Sequence, residues 1–272
     1  MQPTQVRLPA VAGRFYPSTP AELMRDVDGY MEPSVVVEGA LGCIAPHAGY
    51  MYSGRVAGAV YSRLPARSCF LILGPNHFGR GSEPLALTPD AHWRSPLGDV
   101  PINSGLAAMI RSHCPALAED AAAHEREHSI EVQLPFLQRR AAGFSFAPIS
   151  VGAVGYETLV ELGQGIARAL REFPDPVMIV ASSDMNHYEP DALTRIKDGE
   201  AIERILALDT KGLYEVVRRR DISMCGIGPA IAMLTAVKEM GASSAILAKY
   251  ATSADAGGDA SAVVGYAGIV IQ

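Results

Sequence analysis

Cys69-Phe70-Leu71-Ile72-Leu73-Gly74-Pro75-Asn76-His77-Phe78-Gly79 is the stretch from which the fold can be read. An apolar run is broken by Gly and Pro, and a histidine follows. That pattern reads as a buried strand ending at a turn. Gly42-Cys43-Ile44-Ala45-Pro46-His47-Ala48-Gly49-Tyr50 has the same grammar. In open α/β sheets the ligand crevice lies beyond the carboxyl ends of the strands. Two histidines placed there suggest one shared metal or catalytic site.

Working outward, apolar periodicity places further strands near 40–45, 144–150, 177–182, 244–252 and 262–271. Helices are expected over 53–64, 106–113, 156–172, much of 190–208, 213–219, and from 226 to about 240. A further helix should follow Ser18 or Thr19, with Pro20 at its first position. Ile130, Leu134 and Leu137 mark another, with Ser129 near its cap. Residues 83–101 are rich in Pro and turn formers and should be extended segments or hairpins. Alternating strands and helices argue for a layered α/β fold. No low-complexity linker divides the chain and no fixed-period repeat appears, so a single domain over 1–272 is expected.

Composition narrows the function classes. The chain has 272 residues, 49% hydrophobic and 19% charged, with a formal charge of −6. No basic block is present, which argues against nucleic acid or an anionic membrane as partner. No apolar stretch approaches the roughly 20 residues that span a bilayer. The start, Met1-Gln2-Pro3-Thr4-Gln5, lacks the pattern of a secretion signal. The four cysteines, Cys43, Cys69, Cys114 and Cys225, form no CxxC pair. Cys43 and Cys69 fall inside apolar runs and read as buried thiols. This usage fits a reducing cytoplasm.

A third apolar run, Val177-Met178-Ile179-Val180-Ala181-Ser182, leads into Ser183-Asp184-Met185-Asn186-His187-Tyr188. His47, His77 and the Asp184/His187 pair thus follow three strands whose ends can converge. Neutral imidazole binds Fe, Zn, Cu and Ni, and Asp184 could orient a histidine, bind metal or polarise water. The plainer alternative is that each histidine caps a turn. Cys225, in Ser223-Met224-Cys225-Gly226-Ile227-Gly228-Pro229, precedes a predicted helix, whose N-terminus would lower its pKa. A small residue buried at a tight turn is the alternative. Tyr50, Tyr52, Trp93 and Tyr188 could line a pocket for a flat ligand, although core or rim packing is the more common use of aromatics.

His124-Glu125-Arg126-Glu127-His128 matches HExxH, the zinc-protease signature. That chemistry needs both histidines on one face of a continuous helix, with the Glu as base. Here the stretch is charged and the apolar helical pattern begins only after it. A zinc hydrolase through His124, Glu125 and His128 is therefore a secondary reading. His128-Ser129-Ile130-Glu131 could still contribute a polar group to a site; the alternative is a solvated helix start in which Glu131 favours the positive end of the dipole.

At these residues the chain resembles the Memo-like family, also called AmmeMemoRadiSam system protein B, along nearly its whole length. The resemblance rests on Ala10-Val11-Ala12-Gly13-Arg14-Phe15-Tyr16-Pro17, Pro46-His47-Ala48-Gly49-Tyr50, Gly74-Pro75-Asn76-His77 and Trp93-Arg94-Ser95-Pro96-Leu97-Gly98. It continues through Glu127-His128-Ser129-Ile130-Glu131, Gln133-Leu134-Pro135-Phe136, Ser182-Ser183-Asp184 with His187, and Cys225-Gly226. The family is similar to class III extradiol dioxygenases, non-haem iron enzymes that cleave catechol-type rings. The resemblance implies one α/β domain whose central mixed, mostly parallel sheet is flanked by helices. It also implies metal ligands at His47, His77 and Cys225, a catalytic acid/base at His187, and a site role for Asp184; His128 is added to the catalytic candidates as a second polar contact. Fe(II) is the first expectation for the ion, with Cu or Zn as alternatives. Substrate and O₂ would take the open positions. Where the dioxygenases keep a carboxylate, this chain has Cys225. A thiolate softens the site toward Cu or Zn and puts an oxidisable group beside the metal. The expected function is a metal-dependent redox protein acting on an unknown small molecule. The alternative is a peptide- or protein-binding adaptor using the same pocket without turnover. Family naming further implies a pathway shared with radical-SAM and AMMECR1-like proteins.

Overall fold

A computed structural model describes residues 6–88, 91–141 and 143–272. The leader expectation concerns Met1–Gln5, which lie outside the described residues. The first elements are β1 (Val6–Arg7), α1 (Pro20–Tyr30), β2 (Gly42–Ala45), α2 (Tyr50–Tyr61), β3 (Cys69–Pro75), β4 (Leu85–Leu87), β5 (His92–Ser95) and β6 (Gly98–Pro101). Then come α3 (Ser104–His113), β7 (Ala118–Glu119), α4 (Leu134–Arg140), β8 (Ser145–Val151), α5 (Tyr156–Glu172) and β9 (Val177–Ser182). The chain ends with β10 (His187–Glu189), α6 (Asp191–Leu206), α7 (Thr210–Arg219), α8 (Ile227–Glu239), β11 (Ala245–Thr252) and β12 (Val263–Ile271).

The main sheet runs β10-β12-β2-β9-β3-β8-β4-β7, with β11 also paired to β12. Its centre, β2-β9-β3-β8, is parallel, and antiparallel pairs flank it. Every residue of β2, β3 and β9 is buried. That is why they read as unbroken apolar runs: a parallel strand covered on both faces has no solvent side on which to alternate. Side chains still alternate between two cores. Ile44, Leu71, Leu73, Ile149 and Ile179 pack against α3, α5, α6, α7 and α8. Cys43, Phe70, Ile72, Phe146 and Val180 pack against α1, α2, α4 and Trp93 of a small β1-β5-β6 sheet. No helix among the described residues is long and apolar enough to cross a membrane.

The long elements fall where the sequence puts them, with shifts at their ends. The helix expected over 53–64 already begins at Tyr50. Thr19 takes the N-cap position of α1, but its hydroxyl goes to Glu22 Oε2 (2.6 Å) instead of a backbone amide. Ser129 does not cap the helix that follows it. A 3₁₀ turn over Glu131–Gln133 intervenes, α4 starts at Leu134, and Ser129 Oγ donates to the Pro75 carbonyl (3.2 Å).

The topology explains why the histidines meet. β2, β9 and β3 are adjacent and parallel, so Pro46-His47, Ser183-Asp184 and Asn76-His77 all leave the same sheet edge. β12 runs antiparallel to β2, and β10 pairs with the start of β12 through His187↔Val264. That register sets His187 beyond the same edge. The N-terminus of α8 brings Cys225 there as well. Gly226 permits the approach, because a Cβ on it would stand 2.3 Å from the Ser182 carbonyl oxygen.

Candidate metal centre

His47 is buried, and its tautomer follows from its partners. Ser182 Oγ donates its one proton to the Ser129 carbonyl (2.7 Å). It also accepts from Gln133 Nε2 (2.8 Å), an amide whose orientation is set by the Pro46 carbonyl at 2.9 Å and by Tyr61 OH donating to Oε1 at 2.7 Å. Ser182 Oγ is 2.8 Å from His47 Nδ1, so the imidazole must be the donor in that contact. Nε2 therefore keeps its lone pair. Burial, and then the charges of His128, His77 and His187, drive His47 well below the ordinary histidine value. A neutral ring with a fixed tautomer is the form that ligates metal.

His77 is held by Glu127. Its amide donates to Glu127 Oε2 (2.8 Å) and its Nδ1 to Oε1 (3.0 Å). The same Oε1 accepts from the amides of His128 (2.8 Å) and Ser129 (2.9 Å). Burial by itself would raise this carboxyl. The hydrogen bond and charge of His77, the Ser129 amide and His128 outweigh that and lower it to about 2. The His77 and His128 rings stack at 4.8 Å, and His47 lies edge-on to both, at 5.1 and 5.6 Å. Donor atoms of His47, His77 and His128 lie within 4.8 Å of one another, a cluster that could hold a metal ion. His128, expected as a polar contact in the site or, in the zinc-hydrolase reading, as a ligand paired with His124, is placed instead among potential ligands shared with His47 and His77.

Cys225 is half-buried, and its sulfur is 3.2 Å from His47 Nε2. Two donors about 2.1 and 2.3 Å from one ion, set near a right angle, would be about this far apart. The thiol does not have the lowered pKa expected of a helix N-terminus. Burial, followed by the nearby Asp184 carboxylate, pushes it well above the ordinary thiol value. Asp184 is buried, with Oδ1 accepting from the His47 amide (2.8 Å), and burial raises its carboxyl. It steadies the His47 turn and does not orient His187. That task falls to Ser223, whose carbonyl accepts from His187 Nδ1 (2.9 Å) and whose hydroxyl accepts from the His187 amide (2.8 Å). Asn186 Oδ1 fixes Ser223 in turn (3.1 Å to its amide).

With this geometry in view, comparison with known proteins gives a consistent result. A family model described as Memo-like protein matches residues 7–270. The chain belongs to the Memo-like family. A MEMO1 family protein of Methanosarcina barkeri is 44% identical over 269 residues, covering 98% of this chain and 100% of the relative. One from Methanopyrus kandleri is 44% identical over 280 residues, covering 98% and 99%. A crystal structure of the uncharacterized protein JW3007 from Escherichia coli K12 superposes with a TM-score of 0.58 at 13% identity, covering 84% of this chain and 98% of that one. The last match shows a shared fold and nothing more.

The Memo-like fold also disposes of the HExxH pattern. His124 to His128 lie in turns and bends, not in a helix, so the two rings share no helical face. His124 is buried away from the cluster, with Nε2 on the Ala86 carbonyl (3.2 Å), and Glu125 pairs with Arg80 at the surface (3.1 Å). The carboxylate of this stretch that reaches the histidine cluster is Glu127. Glu131 is no solvated acid either. It is buried and accepts from Arg7, Tyr16 and two backbone amides, fastening the segment before α1 over the site. Of the aromatics, Tyr50 and Trp93 are core, whereas Tyr52 and Tyr188 are exposed.

His124 yields a pH prediction. Burial lowers it from 6.5 to about 4, against the opposing pull of the Ala86 carbonyl. Below about 6.5 the unfolded chain takes up a proton that the folded chain refuses until about 4. This contribution is therefore complete above 6.5 and is lost as pH falls toward 4. Asp198, raised to about 6 mainly by burial, works in the opposite direction over an overlapping range. The informative quantity is thus the stability difference between wild type and His124→Asn from urea unfolding. It should shrink steadily from pH 6.5 to pH 4; a constant difference would refute the assignment.

Proposed function

We propose that this Memo-like chain is a metal-dependent redox protein whose ion is held by His47, His77 and Cys225, with Fe(II) first and Cu second. The observation that carries the reading is His47. It is buried, its Nδ1–H is committed to Ser182, and its bare Nε2 faces the Cys225 sulfur at 3.2 Å. His77, with Nδ1 on Glu127, offers Nε2 in the same way. A histidine whose second nitrogen is hydrogen-bonded is the usual form of a metal ligand. When bound, such an ion would supply one-electron chemistry and open positions for a substrate. The chain's own part is positioning and proton handling. His187 Nδ1 donates to the Ser223 carbonyl, which leaves Nε2 to take or give a proton at the edge of the site. Tyr188 beside it is held at φ 60, a costly backbone conformation for a non-glycine residue.

The third ligand is tested with Co(II) as a spectroscopic stand-in. One equivalent added anaerobically to metal-free protein should give a sulfur-to-metal charge-transfer band. Cys225→Ser should lose the band and His128→Ala should retain it. Stoichiometric Co(II) uptake without that band, lost in His128→Ala and kept in Cys225→Ser, would assign the centre to the three histidines. Because the cation must displace the thiol proton, affinity should rise with pH. Failure to take up stoichiometric Fe(II) or Cu(I) under anaerobic conditions would remove the redox reading. The adaptor reading would then stand on the exposed Met51, Tyr52, Phe78 and Tyr188, which adjoin the site segments in sequence.

A further inference from the structure

We propose that a cavity between the segment before α1 and the turn at 121–128 is a binding site for a small organic anion. The ligand would have an apolar body and a group that donates a hydrogen bond.

The cavity has a volume of about 740 Å³, within the range of small-molecule sites. Val11, Ala91 and Trp93 give it an apolar wall. Two buried polar side chains also line it, and neither Thr88 Oγ1 nor His124 Nδ1 has a hydrogen-bond partner among the described residues. Buried polar atoms are normally paired, so bare ones in a cavity wall point to a partner that arrives from outside. Their chemistry sets what that partner offers. His124 Nε2 donates to the Ala86 carbonyl, which leaves Nδ1 as an acceptor. It calls for an N–H or O–H on the ligand, and Thr88 can take either role.

Charge at the opening selects the other end. Arg14 and Arg126 line the cavity and are exposed, and neither forms an ion pair among the described residues. The acid on the same lining, Glu125, is neutralised by Arg80 at 3.1 Å. Two free guanidinium groups favour a carboxylate, sulfonate or phosphate. His128 belongs both to this lining and to the histidine cluster, so an occupant would lie alongside the candidate metal centre. Binding itself requires no metal and does not rest on the redox proposal.

The test uses the full chain without metal and two fluorescent probes. Anilinonaphthalenesulfonate has an aromatic body, an N–H donor and an anion, and N-phenylnaphthylamine is its uncharged counterpart. The sulfonate should bind saturably, one per chain, at least about tenfold tighter than the neutral probe, the scale of one charge-assisted contact. Arg14→Ala combined with Arg126→Ala should erase that preference. Ala121→Trp, which fills the cavity, should abolish binding, while Ala108→Trp, at a separate depression beside α3, should not. Thermal melts establish that each variant is folded. The proposal is overturned by non-saturable binding, by equal affinity for both probes, or by equal effects of the two tryptophan variants.

Discussion

Glu131→Ala should destabilise the fold by about 3–5 kcal/mol, the cost of removing one partner from a buried ion pair. A carboxylate has about four acceptor positions, and Glu131 fills them. Oε2 takes Arg7 Nη1 (2.5 Å) and the Ala10 amide (2.8 Å), and Oε1 takes the Val11 amide (3.0 Å) and Tyr16 OH (2.6 Å). Alanine would leave all four donors facing an apolar gap. Arg7 is nearly buried, lies 4.2 Å over the Trp93 ring, and also donates to the carbonyls of His124 and Glu127. Through it the damage would spread to the turn carrying His128. A loss of this size is a large share of the roughly 5–15 kcal/mol that holds a typical domain together. Should the alanine variant fail to fold, Tyr16→Phe gives a milder measure. It removes one hydrogen bond to a charged group and should cost about 1.5–3 kcal/mol. Urea unfolding reads both. A loss under about 1 kcal/mol in the alanine variant would mean that water replaces these contacts freely and that Glu131 is not the clasp.

Glu131 also marks the limit of what the sequence could say. Charge and helical spacing describe a residue's neighbours along the chain, and on that basis it looked like a surface acid at a helix start. Its real partners are more than a hundred residues away, on a segment with no strong periodicity of its own. The contacts of Gln133 are hidden from the sequence for the same reason, since Pro46, Ser182 and Tyr61 come from three separate parts of the chain. The strands were legible because burial on both faces forces continuous apolar runs, as at Cys69–Pro75 and Val177–Ser182. The convergence of His47, His77 and Asp184 was legible in part, because parallel strands put their carboxyl ends on one edge. Cys225 stands out locally only as a thiol ahead of a predicted helix, a pattern equally met by a small residue buried at a turn, and its role as third ligand comes only with the family resemblance. Tautomers and second partners lie beyond any sequence pattern. The HExxH match shows the cost of local reading in the other direction: the spacing is right, but no helix puts the rings on one face.

Glu127 should matter more to metal affinity than any residue that is not itself a ligand. Its Oε2 accepts the His77 amide, while Oε1 accepts His77 Nδ1 and the amides of His128 and Ser129. The carboxylate thus fixes the rotamer and tautomer of His77 and the backbone that carries His128. Glu127→Gln retains the volume but turns one of the two acceptor ends into a donor. Placed at Oε1, the new NH₂ faces three donors; placed at Oε2, it faces the His77 amide. Neither orientation restores the network, so His77 Nε2 loses its fixed aim. Loss of such a supporting carboxylate typically weakens metal binding about 10–100-fold, and that range is expected here in a competition titration with Zn(II) or Co(II). Glu125→Gln provides the control within the same stretch. Among the described residues its carboxylate pairs only with Arg80, at the surface, so metal affinity should be unchanged. Equal losses in the two variants would point to general damage to the turn. A loss confined to Glu125→Gln would place the metal beside Glu125 and away from His77. Unchanged affinity in both would mean that His77 is not a ligand, and the proposed centre would lose one of the two histidines on which it is built.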